Sequence, residues 1–428
     1  MKILIVSHNP ISTFNNMGKT IGSLFSSFPK EALCQLYLHP SVPDVEACNS
    51  YYRITDRAVL MSYFKWRVRG EVIKVDENQH SCSDESEAGR LYRKVKNVSV
   101  GKRLARDFLW KHSRWYNGEL KAWIEREAPT VMFVAPGMPK LLYEIAFKIA
   151  SKHQLPIVTY ICDDYYFLKK GKNLPERYMN WRVRRKIEQL MIKTNHVVFI
   201  CDYLRLAYQA RFNVKADTIM NGTTREISQS VTSSPTISSL TYMGNLYYDR
   251  ELSLAEIGRS LERINEGNGT NYLLHVYTGE INEKTRKMFE QISTVRLHGF
   301  VSGDELERVI ERADAFVHVE GFDEACRDMV KGSVSTKIAD SLGNGKVFLA
   351  YGPDDVASIQ YLKQNQCAFV ATSLEALEIQ LKKMFSDESE RIYQINKALE
   401  IAEKNHVTQH NSERLYGIFQ SINKGEPT

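Results

Sequence analysis

The chain predicts an α/β protein made of two doubly wound parallel sheets, and three observations carry that expectation. Short apolar runs alternate with helical stretches from end to end, the signature of βα units whose strands pair in parallel. The alternation breaks at Ser228–Ser239, a polar stretch of serine and threonine with no periodicity, as a linker has. The length, 428 residues, also exceeds the roughly 250–300 residues that one hydrophobic core fills.

In chain order, the apolar run Ile3–Val6 turns polar at Ser7-His8 and is too short for a signal peptide, so Lys2–Ser7 opens a domain as a strand. Further strands are expected at Gln35–His39, Val131–Ala135, Ile157–Cys162, His196–Cys201 and Thr218–Met220. Residues 78–89, polar and acidic, read as a mobile loop. After the break come Ser239–Met243, Leu273–Thr278, Val295–His298, Ala315–Val319 and Val347–Tyr351. Helical patterns separate most of these, among them Lys140–Lys152, Leu252–Ile264, Gly303–Arg312 and Val356–Lys363. The break implies domains of 1–228 and 229–404.

Composition narrows the class. Apolar residues make up 43% and charged residues 25%, as in soluble globular proteins. Seven scattered cysteines without a CxxC pair point to reduced thiols in a cytoplasmic protein, and away from a disulfide frame or zinc site. No stretch approaches the about 20 apolar residues that cross a bilayer. The net charge of +6 is divided unevenly: the first half is basic and the second acidic, which suggests an anionic partner for the first half. Much of the excess lies in 90–126, where Tyr92, Phe108, Trp110, Trp115, Tyr116 and Trp123 are interleaved with cations. That pattern suits an anionic membrane surface or a solvated helix whose aromatics are core. Nucleic acid is not expected.

Ligands of doubly wound sheets bind beyond the carboxyl ends of the strands, so the residues there carry the functional signal. The most informative stretch is Ser335-Thr336-Lys337-Ile-Ala-Asp340, a hydroxyl-rich helix start followed by Gly343-Asn-Gly345 and a buried strand. Ser335 or Thr336 can cap the helix. Lys337 in the first turn is unfavourable against the helix dipole unless it faces an anion. A phosphate on the amides and Lys337, with a sugar hydroxyl on Asp340, accounts for these choices; an ordinary capped helix is the alternative. Elsewhere, Asn15-Asn-Met-Gly18-Lys19-Thr20 is half a phosphate-binding loop whose first glycine falls on Thr13. Asp163-Asp164 could bind a metal or act as a base, or cap and pair structurally. In Tyr242-Met-Gly244-Asn245-Leu-Tyr-Tyr-Asp-Arg250 the glycine admits a close ligand and Arg250 offers a cation for a diphosphate. His298-Gly-Phe300-Val301 ends a strand where a base could stack. His318 is expected to be structural rather than catalytic.

These motifs, in this order, resemble the GT-B glycosyltransferases, and within them the retaining enzymes of the glycosyltransferase 4 type used in bacterial surface-polysaccharide assembly. The resemblance implies two Rossmann-like domains facing across a cleft, with Asn405 to Phe419 leading a last helix back to the first domain, so that 405–428 packs on it. It implies that Gly244 to Arg250 holds the donor diphosphate, with Asn245 standing where an arginine is usual and Lys337 supplying the missing cation. By the same resemblance His298, Phe300 and Val301 read the nucleotide base, Asp340 binds the ribose, and Gly18 and Lys19 face the donor phosphates. Asp164 lies beside the sugar, and Glu320, Asp323 and Glu324 are candidates for contacts to it. Gly332 replaces a usual glutamate. The implied catalytic set is Arg250, Lys337, Asp164 and Glu320. The implied activity is hexosyl transfer with retention from a UDP- or GDP-type sugar to a carbohydrate or polyprenyl-diphosphate-linked acceptor, without metal or other cofactor, in the cytoplasm or on the inner membrane face. A non-catalytic GT-B scaffold and a P-loop-type NTPase using Lys19 remain as alternatives.

Overall fold

The computed structural model describes residues 1–13, 16–65, 70–73, 100–137, 139–167, 173–223, 225–234, 236–279 and 281–424. The expected loop at 78–89 lies outside them, as do residues 90–99. The chain forms two compact units: Met1–Asn221 with Thr408–Thr428, and Gly222–Val407.

The first unit is built on an eight-stranded sheet of β1 (Ile3–Ser7), β2 (Leu33–Tyr37), β3 (Ser50–Arg53), β4 (Glu71–Ile73), β5 (Val131–Val134), β6 (Ile157–Ile161), β7 (His196–Phe199) and β8 (Ala216–Thr218). Their order is β4-β3-β2-β1-β5-β6-β7-β8, and every pairing is parallel except β3 with β4. Central strands such as β1 and β5 are buried at every position, which is why their sequences are unbroken apolar runs rather than alternating ones. The helix Lys140–His153 buries Leu141, Leu142, Ile145, Ala146, Ile149 and Ala150 against this sheet, one stripe at helical spacing. The final helix, Thr408–Lys424, belongs to this unit. Phe419 is buried beside Phe25, Phe28 and Phe133, and Ser412 Oγ accepts from Ser27 N–H at 2.9 Å.

The second unit carries β9 (Ser239–Met243), β10 (Leu273–Tyr277), β11 (Val295–His298), β12 (Ala315–Val319), β13 (Val347–Tyr351) and β14 (Phe369–Ala371). They form an all-parallel sheet in the order β11-β10-β9-β12-β13-β14. The order reverses between β9 and β12, so a crevice opens beyond their carboxyl ends. The helix Arg250–Asn268 leaves β9, and the seven-residue helix Lys337–Gly343 precedes β13.

The polar stretch after Ser228 departs from the expected linker. It runs along the second unit: Ser228 N–H donates to Gly343 O at 2.9 Å, Val231 N–H donates to Asn396 Oδ1 at 2.9 Å, and Ile237 is buried. Its lack of periodicity reflects extended backbone satisfied by side chains of other elements. The change of unit comes earlier, at Asn221/Gly222. Among the described residues, no helix is long and apolar enough to cross a membrane.

Candidate functional site

At the β9/β12 crossover, the turn after β9 is shaped by close packing. Gly244 sits so near the Tyr242 ring that a Cβ would lie 2.7 Å from its hydroxyl oxygen, and that hydroxyl donates to Asn245 O at 2.6 Å. Tyr248 and Asp249 both adopt left-handed backbone, with φ of 63° and 58°, a conformation that costs L-residues roughly 1–2 kcal/mol each. This turn presses Tyr248 O against Gly321 just beyond β12; a Cβ on Gly321 would stand 2.1 Å from that oxygen. The two strand ends are thereby locked together, and Arg250 reaches Glu320.

Arg250 is held there through all three of its guanidinium nitrogens. Its Nε and Nη2 donate to both Glu320 oxygens at 2.9–3.1 Å, and Nη1 donates to Asn245 Oδ1 at 3.0 Å. Glu320 is only 2% exposed, and His318 Nε2 approaches its other side at 3.3 Å. Burial alone would raise the Glu320 carboxyl; His318 and Arg250 outweigh it and hold the group below its usual range. The fork-to-fork geometry of Arg250 makes it the firmer partner, since His318 Nε2 also contacts Ser358 Oγ at 3.1 Å. The expected direct contact of Glu320 with donor sugar is therefore corrected: the carboxylate is sealed and saturated, and it positions Arg250. His318 is a satisfied buried residue.

A cavity of about 110 Å³ continues from this pair, with Gly244, Asn245, Arg250, Ser335, Lys337 and Asp340 among its lining residues. Lys337 is exposed at its rim. The expected side-chain cap does not form as drawn: Thr336 caps nothing with its hydroxyl, and Ser335 Oγ accepts from Lys337 N–H at a long 3.4 Å. Asp340 Oδ1 accepts from Thr223 Oγ1 at 2.7 Å and lies 3.9 Å from Arg225 Nε. Arg225 lines the same cavity and pairs bidentately with Glu307, one contact at 2.5 Å. Sequence reasoning missed this cation, which lies just past β8 in the segment that opens the second unit. Thr223, Asp340, Arg225 and Glu307 form one chain of contacts from the domain-opening segment to the helix Gly303–Arg312.

Other expected residues lie elsewhere. His298 stacks on Tyr277 with centroids 4.3 Å apart and contacts His275 Nδ1 at 2.9 Å. Burial lowers both imidazoles. They line a separate groove of about 520 Å³ beneath Arg308 and Arg312. Phe300 is exposed, and neither it nor Val301 lines the Lys337 cavity. Asp323 is the N-cap of Glu324–Val330, accepting from Ala325 and Cys326 N–H. Asp249, Asp323 and Cys326 bring ligand-type atoms within 4.8 Å of one another, but Asp323 already serves the helix and Cys326 Sγ contacts Asp249 at 3.3 Å.

In the first unit, Gly18 is explained by packing: a Cβ would fall 2.6 Å from Pro10 O. Lys19 is exposed on the helix Asn16–Leu24, which also carries Gly18. Thr13 N–H, where a phosphate-binding loop would offer an amide to phosphate, donates instead to the Asp44 carboxylate at 2.9–3.0 Å. Asp164 Oδ1 accepts from Tyr166 and Phe167 N–H at 3.0 and 2.9 Å, so this carboxylate caps its own turn, and burial raises it. Of the aromatics between 100 and 126, Trp110, Trp115 and Trp123 are core residues. Trp110 and Trp123 give their indole N–H to Asp56 and Ser50, each at 2.7 Å. Only Phe108 among the larger apolar side chains there is well exposed.

No protein-family model matches the chain, and no match is found among curated proteins. Solved structures do match along its whole length. Sucrose-phosphate synthase from Thermosynechococcus elongatus is 9% identical, with 99% of this chain and 100% of that one covered at a TM-score of 0.59. HepE of Anabaena, solved with UDP and glucose, is 10% identical, with 98% and 100% covered at 0.59. The α,α-trehalose 6-phosphate synthase of Burkholderia multivorans is 10% identical, with 99% and 97% covered at 0.56. At such identities the likeness is one of fold, and the chain has the GT-B fold that these glycosyltransferases share.

Proposed function

We propose that the protein is a glycosyltransferase that binds a nucleotide-diphosphate sugar, of UDP or GDP type, in the Lys337–Asp340 cavity. The observation that carries this reading is the placement of Lys337, Asp340 and Arg225 around one cavity beside the β9/β12 crossover. HepE, with the same fold, was solved with UDP and glucose. In this reading Lys337 neutralises the diphosphate and Asp340 accepts the ribose hydroxyls. Arg250, held by Glu320 and Asn245, presents one fixed edge of its guanidinium, and Arg225 exchanges its exposed Glu307 partner for the donor. Preorganised cations aimed at the leaving diphosphate are the main catalytic contribution.

Transfer goes to a carbohydrate or polyprenyl-diphosphate-linked acceptor, in bacterial surface-polysaccharide assembly, with retention. The bond from the sugar's anomeric carbon to the β-phosphate oxygen breaks as the acceptor oxygen bonds that carbon on the same face. The acceptor proton passes to a leaving phosphate oxygen, so no protein nucleophile or metal is required. A non-catalytic scaffold is the second reading, favoured by the commitment of four of the five Arg250 N–H groups to Glu320 and Asn245.

Calorimetric titration with UDP, GDP, ADP and CMP tests donor binding, since a ligand of the native state also raises the melting point. Lys337→Ala is expected to weaken diphosphate binding about tenfold or more, as a charge-assisted contact is worth roughly 1.5–3 kcal/mol. Unfolding should not change, because Lys337 is exposed. Unaltered affinity would remove Lys337 from the site; nucleotide binding without sugar transfer to any glycan acceptor would favour the scaffold.

A further inference from the structure

We propose that the outer face of the helix Leu174–Lys193, in the first unit, docks on an anionic lipid bilayer. This stands on the first unit alone and does not depend on the donor site. The helix has apolar residues on two opposite sides. Val183, Ile187, Leu190 and Met191 are buried and fix it to the unit. Leu174, Tyr178, Trp181 and Ile192 face the other way and are 77%, 51%, 55% and 84% exposed. Their spacing of four, three and eleven residues confines them, with Arg185, to one narrow arc of a helix about 30 Å long. A helix that only packed inward would carry polar residues there.

Cations border the stripe on both sides. Arg177 is exposed along one edge and Lys193 along the other, while Arg182 and Lys186 are drawn inward onto Asp107 and Glu144 of the same unit. The helix carries six cations against two carboxylates. The exposed rings are braced: Tyr178 and Trp181 stack with centroids 5.9 Å apart, and Arg182 lies 5.6 Å over Tyr178 while pairing with Asp107 at 3.0 Å. Tyrosine and tryptophan favour the headgroup layer, leucine and isoleucine the acyl boundary beneath it, and long cations reach anionic headgroups. The exposed Arg177, Arg185 and Lys193 beside apolar rings and aliphatic side chains complement an anionic headgroup layer over an acyl boundary, which is the ground for lipid as the partner.

The test is cosedimentation of the full chain with vesicles of phosphatidylcholine and phosphatidylglycerol, set against phosphatidylcholine alone. The expected result is binding to the anionic vesicles that weakens as salt rises. Tyr178→Ala/Trp181→Ala should lower it about tenfold or more by removing the inserted rings. Arg177→Glu/Arg185→Glu should lower it comparably and abolish its salt dependence. Both pairs face solvent, so unchanged melting points show that the fold survives. Equal binding of wild type to both vesicles, no binding at low salt, or full binding by the ring variant would each overturn the proposal. So would a dimer in vesicle-free solution that Trp181→Ala returns to monomer, which would assign the face to a second copy of this chain.

Discussion

Replacing Arg250 by methionine separates two roles that one residue cannot fill equally. Glu320 is 2% exposed and Arg250 16%, and three of the Arg250 contacts run to that carboxylate at 2.9–3.1 Å. Removing the guanidinium leaves a buried carboxylate with His318 at 3.3 Å. Breaking a buried pair from one side costs about 3–5 kcal/mol; the remaining histidine contact places the loss near the lower end, about 3 kcal/mol. For a unit of this size, each kcal/mol moves the melting point by about 2–4 °C, so a drop of about 6–12 °C is expected. Arg250→Met/Glu320→Gln should recover much of it, since no uncompensated charge remains. Calorimetry reads both variants, with a UDP titration alongside. A melting point within about 2 °C of wild type, together with abolished UDP binding, would refute the reasoning and make Arg250 chiefly a ligand of the donor phosphates.

Three further outcomes follow from the same structure. Gly321→Ala forces a Cβ against Tyr248 O and should cost about 1–3 kcal/mol, read by denaturant unfolding; an unchanged midpoint would show that the turn yields. His8 is lowered from 6.5 to about 4, chiefly by burial. Its contribution to stability is complete above pH 6.5 and is lost as pH falls, about 2 kcal/mol by pH 5; stability that is flat between pH 7 and 5 would contradict this. Glu320 has the opposite chemistry but also weakens in acid: its depressed value gives stability that is present above pH 4.5 and disappears as pH falls through the folded value. Glu320→Gln should flatten that lower limb of a stability–pH curve.

Much of the fold was legible because its signals are local. Unbroken apolar runs announced β1 and β5, and runs broken by one polar residue announced β6 and β12, all four buried on both faces. The missed strands, β3, β4 and β14, are three or four residues long and lie at or next to sheet edges, where short polar-flanked segments look like loop. The site was legible in part. Lys337, Asp340, Gly244 and Arg250 come together because each follows a strand or opens a helix at the crossover. At Gly18 and Asp164 tight packing and a capped turn select the same residue types as ligand binding does.

The sequence alone determined the βα alternation and the residues placed at the strand ends, since these rest on periodicity and backbone preference within a few residues. Tertiary structure decided how those residues are used. It spent Arg250 on a carboxylate 70 positions away, drew Arg225 into the cavity, and divided the aromatics between core and surface. Pairing and burial join residues distant in the chain, and electrostatic strength depends on the solvent they lose. A spacing pattern records neither.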